Sequence, residues 1–240
     1  MKTYAVGDYY MKNKKSMLRD YEKMKKLSEP LLAKRFNNEQ IQQILIQSRS
    51  NFEELLPQLP YIGGKKNSGT KNLTGSAIIL AFIQALEPQN IDEREIGFFI
   101  YELFEALFSS KPKFIRKLSS KLIRSKFGMK RIKQRYQKNA FSEYKGGWSR
   151  TLVEQKEETF AFGIDVTECG ICTLLKQQNA EKYIPYLCLG DYPMFGMMNI
   201  SLHRSKTIAN GDDVCDFRFY FDEEPRKGWP PEALEEWKKD

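Results

Sequence analysis

Hydrophobic residues in the first half of the chain recur at the three- and four-residue spacing of amphipathic helices. Ile41, Ile44 and Leu45 show this spacing clearly, and Phe52 and Leu55 continue it. The pattern predicts four helices, over residues 11–36, 38–57, about 74–86 and about 92–108. A further amphipathic helix is expected within the stretch that follows, where Phe114, Leu118 and Leu122 mark an apolar side.

Beyond Gly146-Gly147 the hydrophobic period changes from helical to alternating. Phe160, Phe162, Ile164 and Val166 fall on one side of a segment, as in a half-buried strand. The pattern of this half predicts strands over residues 148–155, 160–166, 200–208 and 214–221, with short helices near 170–179 and 183–198. The order ββααββ favours an α+β fold, in which a helical N-terminal half precedes a mainly antiparallel four-stranded sheet.

The composition shift at the glycine pair suggests a domain organisation. We expect a helical region over 1–145, a cysteine-bearing α+β domain over 146–222, and a flexible, proline-containing tail over 223–240. Net charge is +8, yet residues 111–138 alone hold twelve Lys and Arg and no Asp or Glu, so the remainder is mildly acidic. Since this segment lacks a nucleic-acid motif and has few aromatic residues, we interpret it as a solvated amphipathic helix or lid rather than as a nucleic-acid or membrane contact.

Hydropathy bears on the location of the chain. The longest apolar run, residues 77–86, is about half the roughly 20 residues of a membrane-spanning helix. Residues 1–15 contain no apolar stretch typical of a signal peptide. These features predict a cytoplasmic protein, in which cysteines remain thiols.

The candidate chemistry lies in the last third, which holds all four cysteines. Cys169 follows a predicted strand, and Cys188 is three residues from Asp191, so a helical turn would place both on one side. Cys215 alternates with phenylalanines and should point inward from its strand. Thiol and carboxylate groups from separate elements are therefore expected to meet at one edge of the sheet, while Cys172 lies in a helix among leucines and is expected to pack there.

Two chemistries are open for these groups. A thiolate is a nucleophile when a neighbouring cation such as Arg204 or His203 lowers its pKa. Alternatively, Cys169, Cys188 and Cys215 together with a carboxylate or imidazole would bind a divalent metal such as zinc, although their spacing is not that of a zinc ribbon. Buried cysteines also pack simply as small hydrophobic residues.

The motifs of this region resemble a known family. They are Glu168-Cys169-Gly170-Ile171-Cys172, the segment Cys188-Leu189-Gly190-Asp191, His203-Arg204 followed by Thr207, and Gly211 followed by Cys215-Asp216-Phe217. Together they resemble the L-2-amino-thiazoline-4-carboxylic acid hydrolase family. The loop over residues 59–67 and the helix after it are similar to members of the same family, so the resemblance covers most of residues 55–220.

The resemblance implies a hydrolase that opens a small cyclic amidine or thiazoline carboxylic acid. The expected reaction is C–N bond hydrolysis, as in conversion of L-2-amino-thiazoline-4-carboxylate to N-carbamoyl-cysteine. The family pattern carries over to Cys169, Cys188, Asp191 and Cys215 as catalytic candidates, and to Arg204, Thr207 and Asp216, beside His203, as substrate-binding candidates. The expected partner is a small-molecule substrate, and oligomerisation is left open. The Gly-x-x-x-Cys-Asp-Phe element is also similar, more loosely, to small-molecule sensing domains of the vinyl-reductase type, which implies a non-catalytic ligand- or metal-binding alternative.

Overall fold

The computed structural model describes residues 5–138, 143–153 and 160–238, and the helical first half is confirmed. The fourth helix is the most apolar, and all its residues from Ala77 to Ile83 are buried. Pro57 lies in a short 3₁₀ turn directly after the third helix. The five helices of this half are α1 (Asp8–Lys12), α2 (Lys14–Leu32), α3 (Asn38–Leu55), α4 (Gly69–Leu86) and α5 (Glu93–Ser109).

The basic stretch forms two helices instead of the single one predicted over 111–138. They are α6 (Lys113–Arg124) and α7 (Lys126–Lys138). Ser125 between them has extended backbone, and its Oγ accepts a hydrogen bond from the Gly128 amide at 3.0 Å. A Cβ on Gly128 would lie 1.9 Å from the Leu122 carbonyl oxygen. The corner therefore depends on a serine cap and on a residue without a side chain.

The predicted four-stranded antiparallel sheet is present. Its strands are β1 (Ser149–Val153), β2 (Phe162–Glu168), β3 (Ser201–His203) and β4 (Cys215–Tyr220), in the spatial order β1-β2-β4-β3. All three neighbouring pairs are antiparallel. β3 is shorter than predicted, since it ends at His203, and Ile208–Asn210 forms a 3₁₀ turn. Residues 154 and 155 of the predicted first strand lie outside the described residues.

Three short helices separate β2 from β3, where two were predicted. They are α8 (Gly170–Gln177), α9 (Ile184–Cys188) and α10 (Asp191–Gly196). The predicted helix over 183–198 is interrupted at Leu189-Gly190, and a Cβ on Gly190 would lie 2.6 Å from the Phe104 ring. The interruption matters for the site, since it places Cys188 at the end of one helix and Asp191 at the start of the next.

The Cα positions group into two compact units whose limits differ from the predicted domains. Unit 1 contains residues 1–103, 143–147 and 170–187, and unit 2 contains 104–142, 148–169 and 188–240. Within unit 1, α5 and α9 approach closely, because a Cβ on Gly97 would lie 2.2 Å from the Tyr186 ring. Within unit 2, α10 packs beside β3 and α7 beside β1. Among the described residues, no helix combines the length and the apolar character needed to cross a bilayer.

Candidate functional site

One face of the sheet in unit 2 carries the candidate thiols. Arg150 on β1 pairs with Val166 on β2, which in turn pairs with Cys215 on β4. Because directly paired residues project to the same side of a sheet, these three side chains form a row on one face. We call this side the cysteine face. The adjacent residues of β4, Asp216 and Arg218, project from the opposite face.

A buried arginine lies at the centre of the candidate site. The Arg204 side chain is 1% exposed and its Nη1 donates to Asp191 Oδ2 at 2.9 Å. Its Nη2 donates to Glu236 Oε1 at 2.9 Å and to the Cys188 carbonyl at 3.2 Å. The guanidinium carbon also lies 4.9 Å from the centre of the Phe217 ring on the cysteine face. Charge-assisted bonds to two carboxylates compensate for the removal of this cation from water.

Glu236 belongs to the segment that was predicted to be a flexible tail, yet its side chain is only 1% exposed. The Tyr192 hydroxyl donates to both of its carboxylate oxygens, at 2.8 and 2.9 Å. The Asn210 side-chain amide donates to the Glu236 backbone carbonyl. A buried charge and its partners therefore attach the part of this segment around Glu236 to unit 2. Residues 239 and 240 lie outside the described residues.

Three of the four cysteines lie close enough for their charges to interact: Cys169, Cys188 and Cys215. Burial raises the pKa of Cys188 well above its ordinary value, although Arg204 opposes the shift. Burial raises the pKa of Cys215 to about 11, opposed by a hydrogen bond from the Ile208 amide to its Sγ at 3.2 Å. Both thiols are therefore protonated at neutral pH. None of the four cysteines forms a disulfide, and Cys172 is buried in unit 1.

Asp191 is the accessible carboxylate of the cluster, with a side chain 27% exposed. Burial raises its pKa above the ordinary value; Arg204 and, more weakly, Arg150 oppose the shift, whereas Glu236 adds to it. Oδ2 is held by Arg204, and within the described ranges Oδ1 has no hydrogen-bond partner. A carboxylate fixed by one oxygen and open at the other is suited to accept a proton.

Two other predicted residues, Asp216 and Thr207, hold the loop between β3 and β4. Asp216 accepts hydrogen bonds from the amides of Ser205 and Lys206, at 2.9 and 2.7 Å, and from the Ser205 hydroxyl. The buried Thr207 accepts from the Asn210 amide at 3.2 Å and so caps the 3₁₀ turn. These contacts explain the Arg-x-x-Thr and Cys-Asp patterns as a scaffold that orients Arg204 and Cys215.

His203 also lies apart from the thiols, since on β3 it pairs with Arg218 on the face opposite the cysteine face. Its Nε2 is 2.6 Å from Glu223 Oε2, and its ring lies 4.2 Å from the Tyr220 ring. Burial and Arg226 lower the pKa of His203, while Glu223 raises it. The histidine is therefore not placed to lower the pKa of a cysteine on the cysteine face.

Two functional candidates could not be recognised from the sequence pattern. Glu236 lies 32 residues from its partner Arg204, in a proline-containing segment without a motif. Arg150 lies over the Trp148 ring, at 5.3 Å, and is half-buried. Only the strand register, which places Arg150 level with Cys215, could have identified it.

The geometry does not form a metal site from the predicted ligands. In residues 5–138, 143–153 and 160–238, no three His, Cys, Asp or Glu side chains are arranged to hold a metal ion. Cys169, Cys188 and Cys215 are neighbours, but they are not a ligand set.

These features define an α+β protein whose antiparallel sheet supports a buried site of thiols, carboxylates and one guanidinium. A family model described as L-2-amino-thiazoline-4-carboxylic acid hydrolase matches residues 71–219. The chain belongs to this family, because the match covers more than half of it, and the resemblance expected from the motifs is confirmed. No curated protein and no solved structure matches the chain.

Proposed function

We propose that the protein is a hydrolase that opens a small cyclic amidine or thiazoline carboxylic acid, with L-2-amino-thiazoline-4-carboxylate as the reference substrate. The family supports a hydrolase. The observation that carries the proposal is the position of Asp191, whose side chain is 27% exposed beside the fully buried Arg204 and Glu236 and whose Oδ1 has no hydrogen-bond partner among the described residues.

Asp191 acts as the general base in this proposal. Its raised pKa makes the carboxylate a stronger base than an ordinary aspartate, and Arg204 keeps it oriented. Asp191 takes one proton from water as the water oxygen adds to the amidine-like carbon and the C=N electrons move to the ring nitrogen. The hydroxyl then becomes a carbonyl as the C–S bond breaks: the second water proton passes from this hydroxyl to the ring nitrogen, and the Asp191 carboxyl returns the first proton to the leaving sulfur. Formation of N-carbamoyl-cysteine leaves both C–N bonds of the amidine carbon intact, so the bond that breaks is C–S rather than the C–N bond expected from the sequence.

Arg150 holds the substrate carboxylate, a role that the sequence assigned to Arg204. The Arg204 guanidinium already donates to Asp191, Glu236 and a backbone carbonyl, so it acts as a positioning residue. Arg150 lies on the cysteine face near enough to Asp191 to affect its pKa, and it forms no ion pair with any residue in the described part of the chain. A guanidinium binds a carboxylate in a bidentate manner, which would orient the ring.

The thiols of Cys188 and Cys215 remain uncharged in this scheme. Their raised pKa values favour a role as an uncharged, weakly polar lining against which the ring packs. A covalent route would instead fall to Cys169, which is half-buried at the end of β2. Substituting each of the three with serine distinguishes the routes, because only a nucleophile is indispensable.

The test is turnover of L-2-amino-thiazoline-4-carboxylate by the purified full-length chain, followed by thiol release and by mass spectrometry of N-carbamoyl-cysteine. Asp191→Asn should lower kcat by about 10²–10⁴-fold, and Arg150→Gln should mainly raise KM. Asp165→Asn and Arg218→Gln are matched controls, since these two residues pair with each other at 2.8 Å and Arg218 projects from the opposite face. Absence of turnover in the wild type, or full activity in Asp191→Asn, contradicts the proposal.

A second candidate function is non-catalytic binding of the same class of ligand. The observation that favours it is that burial raises the pKa of two of the three clustered thiols, those of Cys188 and Cys215, so that both are protonated at neutral pH and unsuited to nucleophilic attack. Calorimetric titration separates the candidates: binding of the thiazoline acid that depends on Arg150, without product, supports a sensing domain.

A further inference from the structure

Helix α6 presents its apolar residues to solvent. Phe114, Leu118 and Leu122 are 69%, 64% and 53% exposed, although their four-residue spacing would normally face a core. Ile115 lies beside them and is also exposed. We call these four residues the α6 stripe. Soluble proteins rarely expose contiguous apolar surface of this kind without a binding partner.

The orientation of α6 within unit 2 is fixed by its polar side. Arg124, half-buried at the end of the helix, donates from Nη2 to the carbonyl oxygens of Asn199 and Phe221. Its guanidinium also stacks on the Phe221 ring at 5.1 Å. An arginine therefore attaches the helix to the end of the sheet, while the hydrophobic residues point away. This arrangement is the reverse of an amphipathic helix that packs on a protein core.

Positive charge surrounds the stripe. Lys113, Lys117 and Lys121 are exposed and each precedes a stripe residue by one position. Phe127, at the start of α7, adds another exposed aromatic ring, 5.8 Å from the Arg131 guanidinium. No acidic residue occurs anywhere in residues 111–138. An apolar strip flanked by lysines on a short helix is the pattern of helices that lie in the headgroup region of a bilayer.

We propose that α6, together with Phe127, is an in-plane docking element for membranes that contain anionic phospholipids. The lysines attract the lipid headgroups, and the α6 stripe inserts among the upper acyl chains. Charge disfavours a second copy of this chain as the partner, because two such surfaces would bring like charges together. Nucleic acid would neutralise the charge of the lysines but would leave the apolar α6 stripe exposed to water. The exposure of the stripe is the observation that the sequence alone did not contain.

The test is co-sedimentation of the full-length protein with vesicles of phosphatidylcholine alone and of phosphatidylcholine mixed with phosphatidylglycerol. The wild type should bind the anionic vesicles, and added salt should weaken the binding. Phe114→Ser, Leu118→Ser and Leu122→Ser combined should lower the partition coefficient by about 100-fold. Lys117→Gln combined with Lys121→Gln should lower it by about tenfold.

Ile46→Ser is the matched control, because Ile46 is 71% exposed on α3 in unit 1, outside the basic segment. It should bind like the wild type. Circular dichroism of the triple-serine variant checks that the fold is retained. Equal binding to both vesicle types, or none, overturns the proposal. The proposal is also overturned if the protein binds duplex DNA and the triple-serine variant retains that binding in full. It is likewise overturned if sedimentation velocity shows a wild-type dimer that this variant abolishes.

Discussion

Replacing Arg204 with methionine should destabilise the protein far more than a typical ion-pair loss. The substitution keeps much of the side-chain volume but leaves Asp191 and the buried Glu236 without their cation. Removing one partner of a buried ion pair costs about 3–5 kcal/mol, because an uncompensated charge remains in the interior. The loss should shrink at acidic pH. Asp191 has a raised pKa, so it becomes neutral early in an acid titration and then no longer needs the guanidinium.

The matched control is Arg49→Met, since Arg49 also pairs with two carboxylates, those of Glu22 and Glu53, but is 44% exposed. Exposed pairs contribute only about 0–1 kcal/mol, so this variant should be nearly as stable as the wild type. Urea unfolding at pH 7, monitored by circular dichroism, gives the change in midpoint for both variants.

Adding Glu236→Leu to Arg204→Met extends the comparison to a double-mutant cycle. The double variant should be more stable than the two separate losses predict, by about 1–3 kcal/mol, because it removes a buried charge that the first substitution stranded. Equal destabilisation by Arg204→Met and Arg49→Met, or strict additivity in the cycle, would refute the electrostatic account of the site.

Three further predictions concern other parts of the molecule. At neutral pH, Asp191→Asn should leave the free energy of unfolding unchanged or higher, as measured by urea titration. The pKa of Asp191 is higher in the folded protein than in the unfolded chain, so its contribution to stability is present below the unfolded-state pKa and is lost as the pH rises through the folded-state pKa. Cys215, with a pKa of about 11, should react slowly with iodoacetamide at pH 7 and progressively faster toward pH 11, as measured by peptide mass spectrometry. Gly97→Ala should lower the melting temperature because its Cβ meets the Tyr186 ring, whereas Gly75→Ala, which meets nothing within 4 Å in α4, should raise it through helix propensity worth up to about 1 kcal/mol.

The parts of the fold that depend on local pattern were predictable. The alternation in Phe162, Ile164 and Val166 identifies β2 because one face of the strand is buried along its length. The break between α6 and α7 was not predictable, since Ser125 and Gly128 are both tolerated within helices. Their role follows from a tertiary corner in which only glycine fits beside the Leu122 carbonyl.

The same distinction applies to the candidate site. The spacing of Cys188 and Asp191 predicted one helical turn, whereas the helix is interrupted between them and the Arg204 guanidinium contacts both residues. The partners of Arg204 could not be fully foreseen, since Glu236 reaches it through three-dimensional folding alone. Likewise, only the strand register shows that Arg150 lies on the same face of the sheet as Cys215. The role predicted for Arg204 from its residue type therefore changes, because its guanidinium already pairs with Asp191 and Glu236.

Because Glu236 is buried against Arg204, the last segment of the described chain should bind the rest of unit 2 even after the chain is cut before it. Arg226 and Lys227 are exposed and offer trypsin a cleavage point between Glu223, which contacts His203, and Glu236. After such a cut, the contact between Glu236 and Arg204 would join two molecules instead of two parts of one, and its strength would become a measurable dissociation constant. If the cleaved segment is removed, a synthetic peptide spanning residues 228–238 would then bind in its place, and the bound fraction would rise with peptide concentration until the protein is saturated.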